Sequence, residues 1–337
     1  MMVWRPVGED HAEINCPDDL QPFCVLSAQS ESQMSLAAPS LVDDYYTNLL
    51  DCSCDGVVAL ALGSSVYFWN SETCALVGHL APKLTPGQDS PHSQTILSLC
   101  WSRDGKGLCV GNRRGDTELW DVERGFSEKC LPSHQSAVRA LSWKQNLVSS
   151  GSDLGHIQHF DPRVGALVGK ATQQGALCSL QWSEDELLAS GSTEGVLHVW
   201  DSHINTHLQE PVTTMRQITS VKAMHWCPWQ KHTIATGGGW KDGEVRIWDT
   251  ESGTCLTSVQ TNSQVCCLRW NGEKKSLVTG HGVPQHHISS WLWDSPDLTL
   301  THQFSGHSKR VLHLALNKDG SQIFTAGADQ SVQLWDM

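Results

Sequence analysis

Tryptophan recurs through this chain in a fixed phase. Successive segments end in SSVYFWN, GDTELWD, GHIQHFD, GVLHVWD, GEVRIWD, ISSWLWD and SVQLWDM, placing an aromatic at Trp69, Trp120, Phe160, Trp200, Trp248, Trp293 and Trp335. Their separations are 51, 40, 40, 48, 45 and 42 residues. A second motif keeps the same phase: SLCW to Trp101, ALSW to Trp143, SLQW to Trp182, AMHW to Trp226 and CLRW to Trp270, each on the alternating pattern of a strand. Between them lie small-residue runs ending in tight turns, such as VSSGSDLG, LASGSTEG and IFTAGADQ, where Gly supplies the positive φ a turn requires. Tryptophan is used 15 times against 6 Phe and 3 Tyr, so one unit is being repeated.

A period near 40 to 45 residues with a terminal Trp-Asp is the WD-repeat signature, each unit forming one four-stranded blade. The expected fold is an all-β, seven-bladed propeller spanning 21–337. In blade seven, His307, Thr325, Asp329 and Trp335 stand at the spacing of a His-Thr-Asp-Trp hydrogen-bonding set, with Gly306 before the histidine. Other blades keep parts of it, Ser190 and Glu194 with Trp200 and His134 and Ser150 with Phe160; these are read as framework. The last blade has three strands at the C-terminus and needs a fourth. The run PFCVLSA, within 21–28, is the candidate closing strand, 29–42 a polar linker and 1–20 a disordered tail. The Pro-, Gly- and Ser-rich stretch 78–94 reads as a surface loop.

Composition narrows the function. A net charge of −13 opposes a phosphate backbone, so no nucleic-acid partner is expected. The longest apolar runs, such as VVALAL at 57–62, are strand-sized, so no membrane role is expected either. Thirteen cysteines without a regular framework suit a reducing compartment, cytoplasmic or nuclear. G-x-S-x-G, Walker and H-E-x-x-H signatures are absent. The cluster His281, His286 and His287 falls in a loop and reads as solvated histidines, so no metal, cofactor or catalytic residue is assigned. What remains is a non-enzymatic recognition platform, expected as a monomeric propeller.

Specific stretches go further. PFCVL, VDDYYTNLLDCS at 42–53, VKAMHWCPWQ at 221–230 with ATGGG at 235–239, SQVCCLRW at 263–270, TGHG at 279–282 and GHSKRVLHLALNKDG at 306–320 together resemble the Fizzy (Cdc20 and Cdh1 type) co-activators of the anaphase-promoting complex. The resemblance implies an adaptor that captures destruction-box and KEN-box degrons on substrate proteins and presents them to that ubiquitin ligase. Carried over, it places a destruction-box acid at Asp51 and a second site at Gln330, where the family's A-D-E turn reads Ala328, Asp329, Gln330. Glutamine accepts a hydrogen bond from guanidinium without the charge-assisted part, an expected weakening of roughly tenfold. The KEN pocket is carried over in degenerate form. The family's G-G-N-D-N loop is Gly191, Ser192, Thr193, Glu194, Gly195, and its Thr after G-G-G is Trp240, while Gln264 and Arg310 match.

The resemblance also implies a C box in an N-terminal arm and a terminal Ile-Arg. The sequence opens MMVWRPVGED and closes at Asp336 and Met337, so a divergent or truncated member is expected. The alternative is a non-catalytic interaction scaffold, or a decoy, that has lost degron and ligase binding.

Overall fold

A computed structural model describes residues 32–73, 75–81, 94–201 and 210–337. Its strands form seven four-stranded antiparallel sheets, six of them meanders from an inner to an outer strand and the seventh completed by a strand from earlier in the chain. In blade one these are Leu50–Cys52, Val57–Leu62, Ser65–Asn70 and Ala75–Leu80. The sequence dictates this locally. Third strands alternate, as in SVQLWD, and Gly or a polar residue at positive φ turns the chain between strands, as at Gly155, Gly195 and Gln330. Second strands are buried nearly end to end, as at Ile323 to Gly327, because a neighbouring blade covers each face.

A meander gives the ring two faces. Among the described residues, blade-to-blade connections and the turns between second and third strands share the upper face. The described turns between first and second strands, and between third and fourth, share the lower.

The ring is closed by an N-terminal strand, but not the expected one. Met34–Ala37 pairs antiparallel with Ser331–Asp336, from Met34 opposite Leu334 to Ala37 opposite Ser331. The backbone N–H of Ala38 donates to the Gln330 carbonyl at 2.7 Å. These residues lay inside the stretch read as linker; MSLA is short and half polar, yet its Leu36 fills the blade core. The proposed strand at 22–28 and the tail at 1–20 lie outside the described residues. Gly78–Leu80, read as loop, ends the outer strand of blade one, and 82–93 are outside the described residues.

Register corrects one further alignment. In blade six Trp291, not Trp293, lies opposite Leu277 as Trp335 lies opposite Ile323. Its indole donates to Thr279 Oγ1 at 2.8 Å, and Thr279 meets His281 at 2.7 Å. His281 is therefore a buried framework residue, stacked on the buried His287 at 4.3 Å, rather than a solvated one. Blade seven holds the full set: Trp335 Nε1 to Thr325 at 2.9 Å, Thr325 to His307 at 2.8 Å, and His307 to Asp329 at 3.0 Å. Burial pushes the Asp329 carboxyl up, but hydrogen bonds from His307, Ser331 and Ser308 outweigh it and hold the group at about 2. In blade four Gln173, not Glu194, completes the set, bonding Ser190, which accepts from Trp200 at 2.8 Å.

Candidate functional site: the two ends of the central channel

The upper end of the channel is filled by the chain itself. Residues 43–48 cross it between the closing strand and the inner strand of blade one, and Asp43, Asp44, Tyr45 and Asn48 tie the segment to blades three, four, six and seven. Asp43 pairs with Arg310 of blade seven, and Asp44 with Arg139 of blade three at 2.7 Å. Tyr45 is buried and donates its hydroxyl to the Val265 carbonyl of blade six at 3.2 Å. The amide of Asn48 donates to the carbonyls of Arg139 and Cys178, in blades three and four. Beneath Tyr45, the buried Lys222 ammonium lies 5.9 Å from the ring centroid and donates to the carbonyls of Cys266 and Leu312. Burial pushes this lysine's pKa down, while the two carbonyls and the aromatic face favour its ammonium form. For Asp44, burial pushes the carboxyl up, but the Arg139 guanidinium and the Tyr46 N–H prevail and hold it below its ordinary value.

Around this plug the upper face gathers the residues that the family resemblance carried over as a degenerate KEN pocket. Thr193 and Gly195 form the second-to-third turn of blade four, and Trp240 lies in the same turn of blade five. Gln264 and Arg310 immediately precede the inner strands of blades six and seven. Trp240 is 61% exposed, a large apolar surface on a turn. Gln264 is buried and its Oε1 has no hydrogen-bond partner among the described residues. Gly195 has φ of +76°, and a Cβ there would lie 2.3 Å from the Gln217 carbonyl, so no side chain fits.

Gln330 also belongs to the upper face, exposed in the second-to-third turn of blade seven with φ of +59°. Asp51 does not. It is the second residue of the blade-one inner strand, next to the lower turn, and its Oδ2 accepts from the backbone N–H of Trp101, the last residue of the blade-two inner strand, at 2.9 Å. Its Oδ1 accepts from Cys52 N–H at 3.0 Å. Burial pushes its carboxyl up, against the pull of the Trp101 and Cys52 N–H groups and the Arg269 charge. The pairing of Asp51 with Gln330 is thus overturned by the meander: the two residues open on opposite faces.

Asp51 instead belongs to a ring of hydrogen bonds between blades. Its register equivalents include Ser142, Gln181 and His225, each next to its inner-strand tryptophan. Ser142 Oγ accepts from Trp182 N–H at 3.0 Å, Gln181 Oε1 from Trp226 N–H at 2.9 Å, and His225 Nδ1 from Trp270 N–H at 3.4 Å. An inner strand leaves N–H groups facing the channel, and a side chain from the preceding blade supplies the acceptor. Blade seven has Ala315 at this position, and Asp51 covers the resulting gap with its second oxygen.

The upper-face residues that sequence reasoning missed are Asp43, Asp44, Tyr45 and Asn48. Their signal lies in VDDYYTNLLDCS, where two acids, a tyrosine and an amide precede the acid Asp51. Arg139 gave no signal, because a charge inside VRALSW reads as the solvent face of a strand.

The comparisons agree with this architecture. The model of the CDC20/Fizzy WD40 domain matches residues 36–335. The chain is 36% identical over 307 residues to the anaphase-promoting complex subunit cdc20 of Dictyostelium discoideum, covering 89% of this chain and 59% of that protein. Identity to WD repeat-containing protein slp1 of Schizosaccharomyces pombe is also 36%, over 89% of this chain and 60% of the relative. With the cell division cycle 20.5 cofactor of the APC complex from Arabidopsis thaliana it is 32%, over 95% and 72%. The chain thus spans about 60% of the length of the first two relatives. A chain in the crystal structure of the mitotic checkpoint complex superposes with a TM-score of 0.83 at 34% identity, over 93% of this chain and 97% of that one. With a family model that matches 36–335, from within the closing strand to Trp335 of the last blade, this chain belongs to the CDC20/Fizzy WD40 family.

Proposed function

We propose that this propeller is a non-enzymatic substrate-recognition adaptor of the anaphase-promoting complex, binding short linear degrons on its upper face. The observation that carries the reading is the convergence there of Thr193, Gly195, Trp240, Gln264, Arg310 and Gln330 from blades four to seven, in a chain whose relatives bear the names of complex subunits and cofactors. The destruction-box site is assigned to the rim between blades seven and one. Gln330 is tied there to the closing segment through Ala38, and Asp43 to blade seven through Arg310. Asp43 and Asp44 take the place first given to Asp51.

One feature favours the scaffold reading. Arg310 and Arg139 already occupy the two acids, so a peptide arginine must displace an internal one, and Gln330 offers it no charge.

Titration of a destruction-box peptide by fluorescence anisotropy separates the two. An adaptor binds measurably, tightens roughly tenfold with Gln330→Glu, loses binding with Asp43→Ala and keeps it with Asp51→Asn. Absence of binding by both the natural chain and Gln330→Glu would leave the scaffold.

A further inference from the structure

The lower end of the channel opens into a cavity of about 490 Å³, within the range of small-ligand sites. Its wall is the hydrogen-bonding ring, and at blade six that ring carries a cation in place of an acceptor. Arg269 of blade six holds the position of Asp51, Ser142, Gln181 and His225. A guanidinium has no acceptor, so it cannot cap the next blade.

Its donors are largely unspent. Of the five N–H groups, the hydrogen bonds among the described residues use one, from Nη1 to the Leu268 carbonyl at 2.9 Å. No carboxylate among the described residues lies within ion-pair distance of it. Asp51 has committed both oxygens to backbone N–H groups. Glu184 pairs with Arg103 at the rim.

The remaining cations are held in place. Lys144 donates to the carbonyls of Ser183 and Glu184 over the Trp182 ring, and Lys222 is fixed deeper in the channel. The cavity wall therefore holds Arg103, Lys144, Lys222 and Arg269 against Asp51 and Glu184, an excess of two positive charges inside a chain of net −13. His225 adds a donor. The neutral ring that accepts at Nδ1 carries its proton on Nε2.

We propose that the lower mouth of the channel binds a small phosphate-type oxyanion, gripped by the Arg269 fork, with the Lys222 charge behind it. Arginine's planar fork matches such an oxyanion in two-point geometry, and walls of protein focus the field of the fixed cations. The site lies on the face opposite the degron surface and does not depend on that reading.

Isothermal titration of the full chain with inorganic pyrophosphate, and in parallel with citrate, tests it. Saturable one-site binding is expected for pyrophosphate, weakening with added salt, with citrate weaker. Arg269→Gln should lower the affinity about tenfold or more, and Arg269→Lys, which keeps the charge but not the fork, by less. Trp240→Ala, on the other face, should leave it unchanged. Pyrophosphate should raise the Tm of the natural chain more than that of Arg269→Gln. A folded Arg269→Gln or Arg269→Lys that binds as well as the natural chain would overturn the site, as would absence of saturable pyrophosphate binding. Citrate binding as tightly as pyrophosphate would overturn the phosphate class.

Discussion

The two ends of the channel solve one problem in opposite ways. Seven inner strands leave backbone groups facing a central hole, and both ends must satisfy them. At the upper end a contiguous segment, residues 43–48, fills the hole and sends side chains to blades three, six and seven. At the lower end the task is divided, and blades one, three, four and five each lend one acceptor to a neighbour. A local segment fills volume; a distributed ring leaves a cavity behind it.

The difference should show in stability. Tyr45 is buried where it bridges blade six and the Lys222 cation, so Tyr45→Ala should cost about 3–5 kcal/mol, the usual range for deleting a large buried aromatic. Urea unfolding measures it. A loss below about 1 kcal/mol would mean that the segment lies over the channel without supporting it.

Asp51→Ala should cost less, about 1–3 kcal/mol, because it strands the N–H groups of Cys52 and Trp101 without opening a large void. On the adaptor reading, folded Asp51→Ala should keep the natural chain's affinity for a destruction-box peptide. Loss of peptide binding at full stability would return Asp51 to the degron site.

This contrast also explains what was legible beforehand. The blades were readable because each repeats a strand pattern ended by an aromatic, and the family because VDDYYTNLLDCS and SQVCCLRW are specific words. The closing strand was misplaced because PFCVL looks more like a strand than MSLA does, although closure needs only Leu36 turned inward. Asp51 was grouped with Gln330 because sequence shows a residue's neighbours and not the direction in which its strand runs. The lower ring was written in the variable letter of SLCW, ALSW, SLQW, AMHW and CLRW. Serine, glutamine and histidine seem unrelated there until each is recognised as an acceptor for the next blade.

The ring can also be loosened by acid. Burial, with the Arg269 charge adding to it, lowers the His225 pKa from 6.5 to about 3, so as pH falls the unfolded chain takes up the proton first. The stability this group lends is intact above pH 6.5 and is lost progressively towards pH 3. His225→Gln keeps an acceptor for Trp270 N–H, as Gln181 does for Trp226, and removes the titration. It should flatten the stability profile by up to about 1.4 kcal/mol per pH unit in that window. An unchanged slope would place the acid sensitivity in other histidines or in the shifted carboxylates.

The smallest effect separates the two parts of the plug. Tyr45→Phe keeps the ring over Lys222 and removes only the hydroxyl that meets the Val265 carbonyl at 3.2 Å, so it should cost about 1 kcal/mol, the net worth of one hydrogen bond. Volume and cation contact then account for the remainder of the Tyr45→Ala loss. If Tyr45→Phe costs as much as Tyr45→Ala, the upper end is held as the lower one is, by a polar group satisfied across blades, and the contrast between filling and bonding fails.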